Sequence, residues 1–174
     1  YASDITRTFP VNGVFTEAQR QIYEVVLSAQ EAGIEAVQPG NHWNEPHEAA
    51  VLAITEGLVS LGILKGRVRT LIKDHAYSKY YMHRTGHWLG MDVHDVGDYK
   101  VDGEWRMLES GMVLTIEPGL YMAPNRGLAK KWWDIGVRIE DDVLVTNTGH
   151  DVLSKDMPKS IEDIEALMAV GNAA

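Results

Sequence analysis

The stretch Met112-Val113-Leu114-Thr115-Ile116-Glu117-Pro118-Gly119 predicts a buried β-strand that delivers a carboxylate at its end. Residues 112–116 are almost wholly apolar, and Pro118-Gly119 follows them as a pair of turn-forming residues. Residues 136–145 form a second strand-like run, which begins Gly136-Val137-Arg138-Ile139-Glu140. The second half of the chain is therefore predicted to be rich in β-structure.

The first half is instead predicted to be helical, after an opening strand over residues 1–9 and a turn at Asn12-Gly13. Thr16 to Gln19 has the pattern of a capping box. The predicted helices run from that box to the Pro39-Gly40 break, from Pro46 to Leu61, from Val68 to Asp74, and from Ile161 to Ala169 with Ser160 as its cap. Three helices in succession do not fit a parallel βαβ pattern. The sequence indicates an α+β fold, an antiparallel curved sheet with helices on one side, in one domain over residues 1–174.

Composition excludes several classes of function. The chain has 174 residues, 45% hydrophobic and 24% charged, with a net charge of −9. This negative balance argues against nucleic acid or an anionic membrane as the main partner. The absence of cysteine excludes disulfides, a thiolate nucleophile and any metal site built on Cys. Without a bilayer-spanning apolar run or a leader sequence, we expect a cytoplasmic protein. Because the chain opens on Tyr1 rather than Met, we expect it to be the C-terminal part of a longer protein.

Three of the seven histidines crowd into residues 83–94: His83, His87 and His94. The spacing of the first two fits the helix of HExxH zinc proteases, but no Glu follows His83, and Gly86 and Gly90 disfavour a long helix. The pattern favours a glycine-supported loop that presents imidazoles into a cavity. The alternative is that they are ordinary surface or core histidines.

Carboxylates accompany the predicted strands. A buried, unpaired Glu117 would be costly, so it requires a cation, a metal ion or a proton. Arg138 and Glu140 project to the same face of a strand, where they form either a surface ion pair or a metal ligand with a supporting arginine. Asp4 alone would be an ordinary turn or edge aspartate. Together with His87, these three carboxylates make a sulfur-free ligand set that suits Mn²⁺, Co²⁺ or Zn²⁺ at a two-metal hydrolytic centre.

Four segments of the chain closely resemble the C-terminal catalytic domain of bacterial aminopeptidase P, the Xaa-Pro aminopeptidase family of pita-bread metallopeptidases. They are residues 1–9, 83–95, 115–121 and 137–141, which follow the order and spacing of the family. Residues 87–95 resemble this family more than the related prolidases. The resemblance implies a pita-bread (creatinase/aminopeptidase-like) fold, N-terminally incomplete here, with a curved antiparallel sheet and helices on its outer face.

The resemblance also implies an activity, the hydrolysis of the bond between an N-terminal residue and a following proline by a hydroxide that bridges two metal ions. Asp4, His87, Glu117 and Glu140 would bind the two ions, with Mn²⁺ the expected metal and Co²⁺ or Zn²⁺ as alternatives. Asp4 and Glu140 would bridge both ions, and Glu117 would also act as the general base. This constellation would neutralise the tetrahedral oxyanion.

Substrate contacts are implied in the same way. His83 and His94 would bind the substrate and stabilise charge near the scissile carbonyl, Arg138 would support the site, and Tyr121 would line it. Because proline lacks an N–H and has a fixed φ, an apolar wall can select it, and Trp88 is the residue predicted for part of that wall.

The chain departs from the family pattern at three points. The fifth metal ligand, an aspartate on a preceding strand, and the N-terminal domain lie outside this sequence, and Arg84 stands where relatives usually have Gly. We expect the remainder of the protein to supply the missing ligand, and relatives assemble as homo-oligomers. A prolidase specific for Xaa-Pro dipeptides, a non-catalytic binding module of the same fold and an inactive fragment remain alternatives, and a tripeptide substrate would separate the first from an aminopeptidase.

Overall fold

The computed structural model describes residues 1–171, so the last three residues of the predicted domain 1–174 lie outside the described part of the chain. The helices are α1 (Glu17–Glu35), α2 (Glu45–Ser60), α3 (Val68–Lys73) and α4 (Ile161–Gly171), with short 3-10 turns at Ala76–Lys79 and Lys130–Trp132. The strands are β1 (Lys100–Val101), β2 (Glu104–Trp105), β3 (Val113–Ile116), β4 (Gly119–Tyr121), β5 (Gly136–Arg138), β6 (Asp141–Val145) and β7 (His150–Val152). This mixture confirms the predicted α+β class.

The helix signals in the sequence are confirmed, except at the end of α1. The Thr16 hydroxyl accepts a hydrogen bond from the Gln19 N–H at 3.4 Å, and the Gln19 side chain accepts one from the Thr16 N–H at 2.9 Å. At α4, the Ser160 hydroxyl accepts from the Asp163 N–H at 3.1 Å. The first helix ends at Glu35 rather than at the Pro39-Gly40 break, because the chain turns there to bury Val37 in the core.

The strands form three antiparallel groups rather than one sheet: β3-β6-β7, β4-β5 and the small hairpin β1-β2. The predicted run over residues 136–145 divides into two strands that pair with different partners, β5 with β4 and β6 with β3. Ile116 pairs with Asp141 in one ladder and Gly119 pairs with Arg138 in the other. Glu117 and Glu140 therefore face each other where the two ladders part.

The predicted strand over residues 1–9 is wrong in one respect. This opening segment is extended and alternates between exposed and half-buried residues up to Ile5, but it forms no strand ladder. Its backbone bonds to the rest of the chain are Ala2 N–H to the Gly90 carbonyl at 2.8 Å and Glu140 N–H to the Thr6 carbonyl at 3.1 Å. The alternation is local and predictable, whereas a ladder needs a neighbouring strand that the described chain does not place there.

Two apolar clusters hold the layers together. The larger lies between α1, α2 and the β4-β5 pair and includes Ile22, Ile54 and Leu120. The smaller packs Trp43 and Trp88 under β3 and β6. Because α1 contacts both larger strand groups and α2 packs on α1, the helices cover one side of the sheets, as predicted. No helix among residues 1–171 has the length and apolarity needed to cross a membrane.

Candidate metal centre

Four separate segments bring the predicted ligands to one place. Glu117 follows β3 and Glu140 precedes β6, at the point where the strand groups diverge. His87 lies on an extended segment beside β3, where its carbonyl accepts from the Thr115 N–H at 3.0 Å. Asp4 approaches from the opening segment, where the Asp142 carboxylate accepts its N–H at 3.2 and 3.3 Å.

The side chains of Asp4, His87, Glu117 and Glu140, here called the four-residue centre, converge on the His87 imidazole. Its Nε2 lies 3.4 Å from Asp4 Oδ2 and 3.8 Å from Glu117 Oε1. Ligand atoms of His87, Glu117 and Glu140 lie within 4.8 Å of one another, and so do those of Asp4, His87 and His94. The structure thus brings together all four predicted metal-ligating side chains.

Two buried polar atoms in this centre lack a hydrogen-bond partner, His87 Nε2 and Glu140 Oε1. The His87 Nδ1 lies 3.0 Å from the Trp88 carbonyl oxygen, which can only accept. We therefore assign the ring proton to Nδ1, and the Nε2 lone pair points toward carboxylate oxygens. A lone pair facing anions is unfavourable unless a cation lies between them. The donor set, one imidazole and three carboxylates, fits a divalent metal ion.

Electrostatics point the same way at Glu140, which is 2% exposed. Burial raises the pKa of Glu140 to about 7, and the negative charges of Glu117 and Asp4 raise it as well. The hydrogen bond from Thr6 and the positive charge of Arg138 lower this pKa but do not outweigh burial. The Thr6 hydroxyl donates to Glu140 Oε2 at 2.5 Å. Burial likewise raises the pKa of Asp142 above its ordinary value. The centre is thus a concentration of carboxylates that a cation would stabilise.

Arg138 does not neutralise this charge. Its guanidinium lies 3.7 Å from Glu117 Oε2, but its side chain is 44% exposed, so solvent screens the pair. The alternative of a surface pair between Arg138 and Glu140 does not hold, because Glu140 is buried and the guanidinium approaches Glu117 instead. Arg138 is placed where it can hold the Glu117 carboxylate.

The remaining polar candidates surround the same centre. His83 Nε2 lies 2.8 Å from the Tyr121 hydroxyl, and the His94 ring meets the His87 ring edge-on at a centroid distance of 4.2 Å. Burial raises the pKa of Tyr121, so its hydroxyl remains protonated and able to donate. The positions of His83, His94 and Tyr121 are compatible with substrate contacts, and their roles stay predictions.

The histidine-rich segment is an irregular loop without a helix, as the sequence indicated. Gly86 permits this path, because a Cβ there would overlap the Thr115 carbonyl oxygen. Close approach fixes two further bonds, from Glu117 N–H to the Thr85 carbonyl at 2.6 Å and from His87 N–H to the Thr115 hydroxyl at 3.2 Å. The zinc-protease helix is therefore excluded for His83 and His87.

The structure does not support Trp88 as part of a substrate-facing wall. The residue is 6% exposed, and its ring packs in the smaller core cluster, with its centroid 4.1 Å from that of Trp43 and 5.9 Å from that of Tyr99. Neighbouring side chains of an extended segment point to opposite sides, so His87 faces the centre and Trp88 faces the core.

Several residues around the centre were missed by sequence reasoning, namely Thr6, Arg7, Thr85 and Asp142. A signal existed for Thr6, since in an extended segment it shares a side with Asp4. Asp142 stands in the acidic run 140–142, which drew attention only to Glu140. For Arg7 and Thr85 no local pattern distinguishes them from ordinary polar residues.

Comparison with known proteins gives relatives over nearly the whole chain. The sequence profile of metallopeptidase family M24 matches residues 1–147. The Xaa-Pro aminopeptidase of Haemophilus influenzae is 53% identical over 168 residues, which are 97% of this chain and 39% of that protein. The Xaa-Pro aminopeptidase of Escherichia coli is 51% identical over 168 residues, 97% of this chain and 38% of that protein. The chain therefore spans about two fifths of the length of these relatives.

Solved structures agree with the sequence relatives. Pseudomonas aeruginosa aminopeptidase PepP superimposes with a TM-score of 0.98 at 59% identity, over 100% of this chain and 40% of that one. Zn-substituted Escherichia coli aminopeptidase P in complex with product gives 0.93 at 50% identity, over 98% and 38% of the two chains. These matches confirm the pita-bread fold implied by the motifs. With the profile covering most of its length, this chain belongs to metallopeptidase family M24.

Proposed function

We propose that the protein containing this chain is a metal-dependent aminopeptidase that hydrolyses the peptide bond between an N-terminal residue and a following proline. The observation that carries the proposal is the convergence of the four-residue centre, with His87 Nε2 and Glu140 Oε1 buried and without partners. The relatives at 51% and 53% identity, both Xaa-Pro aminopeptidases, support the substrate class. Peptides with proline at the second position are the proposed partners.

The side chains of Asp4, His87, Glu117 and Glu140 would hold two divalent ions. We propose Mn²⁺ as the metal, with Co²⁺ or Zn²⁺ as alternatives; a zinc-substituted relative is among the similar structures. When bound, such ions supply Lewis acidity that activates water as the nucleophile and polarises the scissile carbonyl. A ligand set of three carboxylates and one imidazole suits this catalysis, whereas structural zinc sites are built from Cys and His ligands.

Glu117 is the proposed general base. It accepts a proton from the attacking water as the new C–O bond forms, and it returns a proton to the proline nitrogen as the C–N bond breaks. The Arg138 guanidinium, 3.7 Å from Glu117 Oε2, can hold this carboxylate in place. We propose that His83, which is hydrogen-bonded to Tyr121, and His94, which contacts His87, orient the peptide and stabilise negative charge on its carbonyl oxygen.

The test is turnover of the intact, Mn²⁺-loaded protein on an Xaa-Pro-Xaa tripeptide and on an Xaa-Pro dipeptide. Glu117→Gln should lower kcat by about 10²- to 10⁴-fold, because the amide cannot accept the proton. Glu109→Gln is the matched control and should retain wild-type kcat, since Glu109 is exposed and belongs to neither group of candidate metal ligands.

Two of the alternatives, a prolidase and a non-catalytic module, have their own outcomes in this test. Cleavage of the dipeptide alone would identify a prolidase. No cleavage of either peptide by the loaded wild type would identify a non-catalytic module. Near wild-type kcat in Glu117→Gln would remove Glu117 from the mechanism.

Location and assembly belong to the same proposal. We propose a cytoplasmic enzyme that self-associates and acts on peptides, without a nucleic-acid or membrane partner. The net charge of −9 supports the last point, because an acidic surface is repelled by phosphate groups. Size-exclusion chromatography with light scattering on the intact protein would give the oligomeric state.

A further inference from the structure

We propose that Arg7 is a positioning residue for the metal centre, fixing the opening segment against Glu140 so that Asp4 and Glu140 keep their relative positions. The inference rests on the proposed function, since it assumes that these two carboxylates bind the metal ions. Within the described residues, the opening segment carries Asp4 and is joined to later parts of the chain by two backbone–backbone hydrogen bonds, at Ala2 and Thr6. Side chains supply its other bonds, among them those of the Asp4 N–H to the Asp142 carboxylate and those of Arg7.

Arg7 uses its whole guanidinium. Its side chain is 10% exposed, and it makes five hydrogen bonds, as many as the group has N–H donors. The acceptors are the carbonyls of Thr6 (3.0 Å), Glu140 (2.7 Å), Met157 (3.1 Å) and Pro158 (2.9 Å) and the Asp141 carboxylate (2.7 Å). One side chain thus joins the opening segment, the start of β6 and the segment before α4.

The contacts of Arg7 act on the centre through the backbone of two residues whose side chains are themselves linked. Thr6 donates its hydroxyl to Glu140 Oε2 at 2.5 Å, and the Thr6 carbonyl accepts the Glu140 N–H at 3.1 Å. Arg7 Nη1 binds both the Thr6 and the Glu140 carbonyl. Asp4 lies two residues before Thr6 on the same side of an extended segment. This junction, together with the bonds from the Asp4 N–H to the Asp142 carboxylate, therefore sets the position of Asp4 relative to Glu140.

Asp141 provides the fixed point behind Arg7. It is fully buried, and its two oxygens also accept from Ser154 at 2.7 Å, Gln30 at 2.7 Å and Lys159 at 2.8 Å. Lys159 is thus a second cation on the same carboxylate, but its side chain bonds to Gln30 and Asp141 and makes no hydrogen bond to the opening segment. The two cations share a structural role, and Arg7 alone is in a position to serve the metal centre.

This difference gives a matched pair of variants, Arg7→Met and Lys159→Met, each of which removes one cation from Asp141. In the metal-free intact protein, calorimetric titration with Mn²⁺ should show affinity reduced by about 10-fold or more for Arg7→Met. Lys159→Met should lower the Tm while its Mn²⁺ affinity stays at the wild-type value. Loss of Mn²⁺ affinity by Lys159→Met to the same extent, or a folded Arg7→Met with wild-type affinity, would overturn the proposal.

Arg7→Lys keeps the experiment decisive if Arg7→Met does not fold. The lysine retains a cation for Asp141 but cannot bind the Thr6 and Glu140 carbonyls as the guanidinium does. This variant should therefore fold and still bind Mn²⁺ more weakly than the wild type. Wild-type affinity would overturn the proposal. Affinity is measured without substrate, so this outcome is separate from that of the proposed function: a wild type that binds Mn²⁺ but cleaves no peptide would contradict the function and leave the role of Arg7 testable.

Discussion

His87 and Glu140 each carry one buried polar atom that has no hydrogen-bond partner, which is an unfavourable arrangement. The Trp88 carbonyl accepts from the His87 ring and orients it so that Nε2 faces Asp4 and Glu117. Glu140 Oε1 is buried in the same centre and receives no hydrogen bond. Buried polar atoms in proteins are normally satisfied, so exceptions that cluster at one point indicate a ligand rather than loose packing. At this scale the chemistry is visible in the pattern of missing hydrogen bonds.

A neighbouring histidine behaves differently. His47 Nδ1 lies 2.7 Å from the Thr85 hydroxyl, which in turn lies 2.5 Å from the Tyr81 hydroxyl. Burial lowers the pKa of His47 to about 4, and the positive charge of Arg84 adds to this. His47 is therefore neutral in the folded protein at neutral pH and belongs to the support of the loop rather than to the metal-binding set.

This pKa predicts a pH-dependent stability. The unfolded chain binds a proton at His47 near pH 6.5, whereas the folded protein does so only near pH 4. As the pH falls through that window, the unfolded state is favoured and stability decreases. Denaturant unfolding at pH 7 and pH 5 should therefore show a smaller loss of stability for His47→Gln than for the wild type. His75→Asn, at an exposed histidine, is the control, and an equal loss in wild type and His47→Gln would contradict the prediction.

At the scale of elements, the pairing of residues 85–89 with β3 and with Glu117 at its end determines the position of His87. Four hydrogen bonds join residues 85–89 to residues 113–117. An added Cβ at Gly86 would overlap the Thr115 carbonyl oxygen, which belongs to the strand backbone. The extended segment can approach only because the residue has no side chain.

Gly86→Ala should accordingly destabilise the protein by about 1–3 kcal/mol or more, since the backbones must separate. Chemical denaturation measures this loss, and Mn²⁺ titration should show weaker binding because His87 is the next residue. Gly149→Ala is the control: nothing lies within 4 Å of a Cβ there, and its effect should stay within about 0.5 kcal/mol. Equal stability of the two variants would show that the junction tolerates a wider spacing.

Helices were the most predictable elements because their signals are local. Thr16 with Gln19, and Ser160 with Asp163, identify helix starts within four residues of sequence. The division of residues 136–145 into β5 and β6 depends instead on which distant strand each part meets, and the sequence of that run does not contain this information. The same reason explains the opening segment, whose alternation is visible but whose lack of a ladder is not.

The candidate site was also predictable only where local sequence motifs identify its residues. The motifs led to Asp4, His87, Glu117 and Glu140, and the fold brings these together. Arg7 and Thr6 act on residues more than 130 positions away, so nothing near them in the sequence identifies their role. The type of Trp88 suggested an apolar wall, but the alternation of an extended segment directs its side chain away from His87 into the core, which the sequence alone did not show.

At the scale of the whole molecule, the four-residue centre joins parts of the chain that are far apart: the opening segment, the loop beside β3, the end of β3 and the start of β6. The unfolded chain cannot hold these ligands together, so metal binding requires the fold and in turn stabilises it. Metal binding is therefore the property that depends on the fold and on the electrostatics of the centre, and on which the proposed activity depends.

Metal content is the measurement that tests this claim most directly. The intact protein and its His87→Ala variant are equilibrated with Mn²⁺, freed of unbound ions and analysed for metal per chain. The wild type is predicted to retain about two ions, as expected of a dinuclear hydrolytic centre, and the variant to lose metal while its circular dichroism stays native. A wild type without bound metal, or a variant that retains the wild-type amount, would contradict the assignment of the centre.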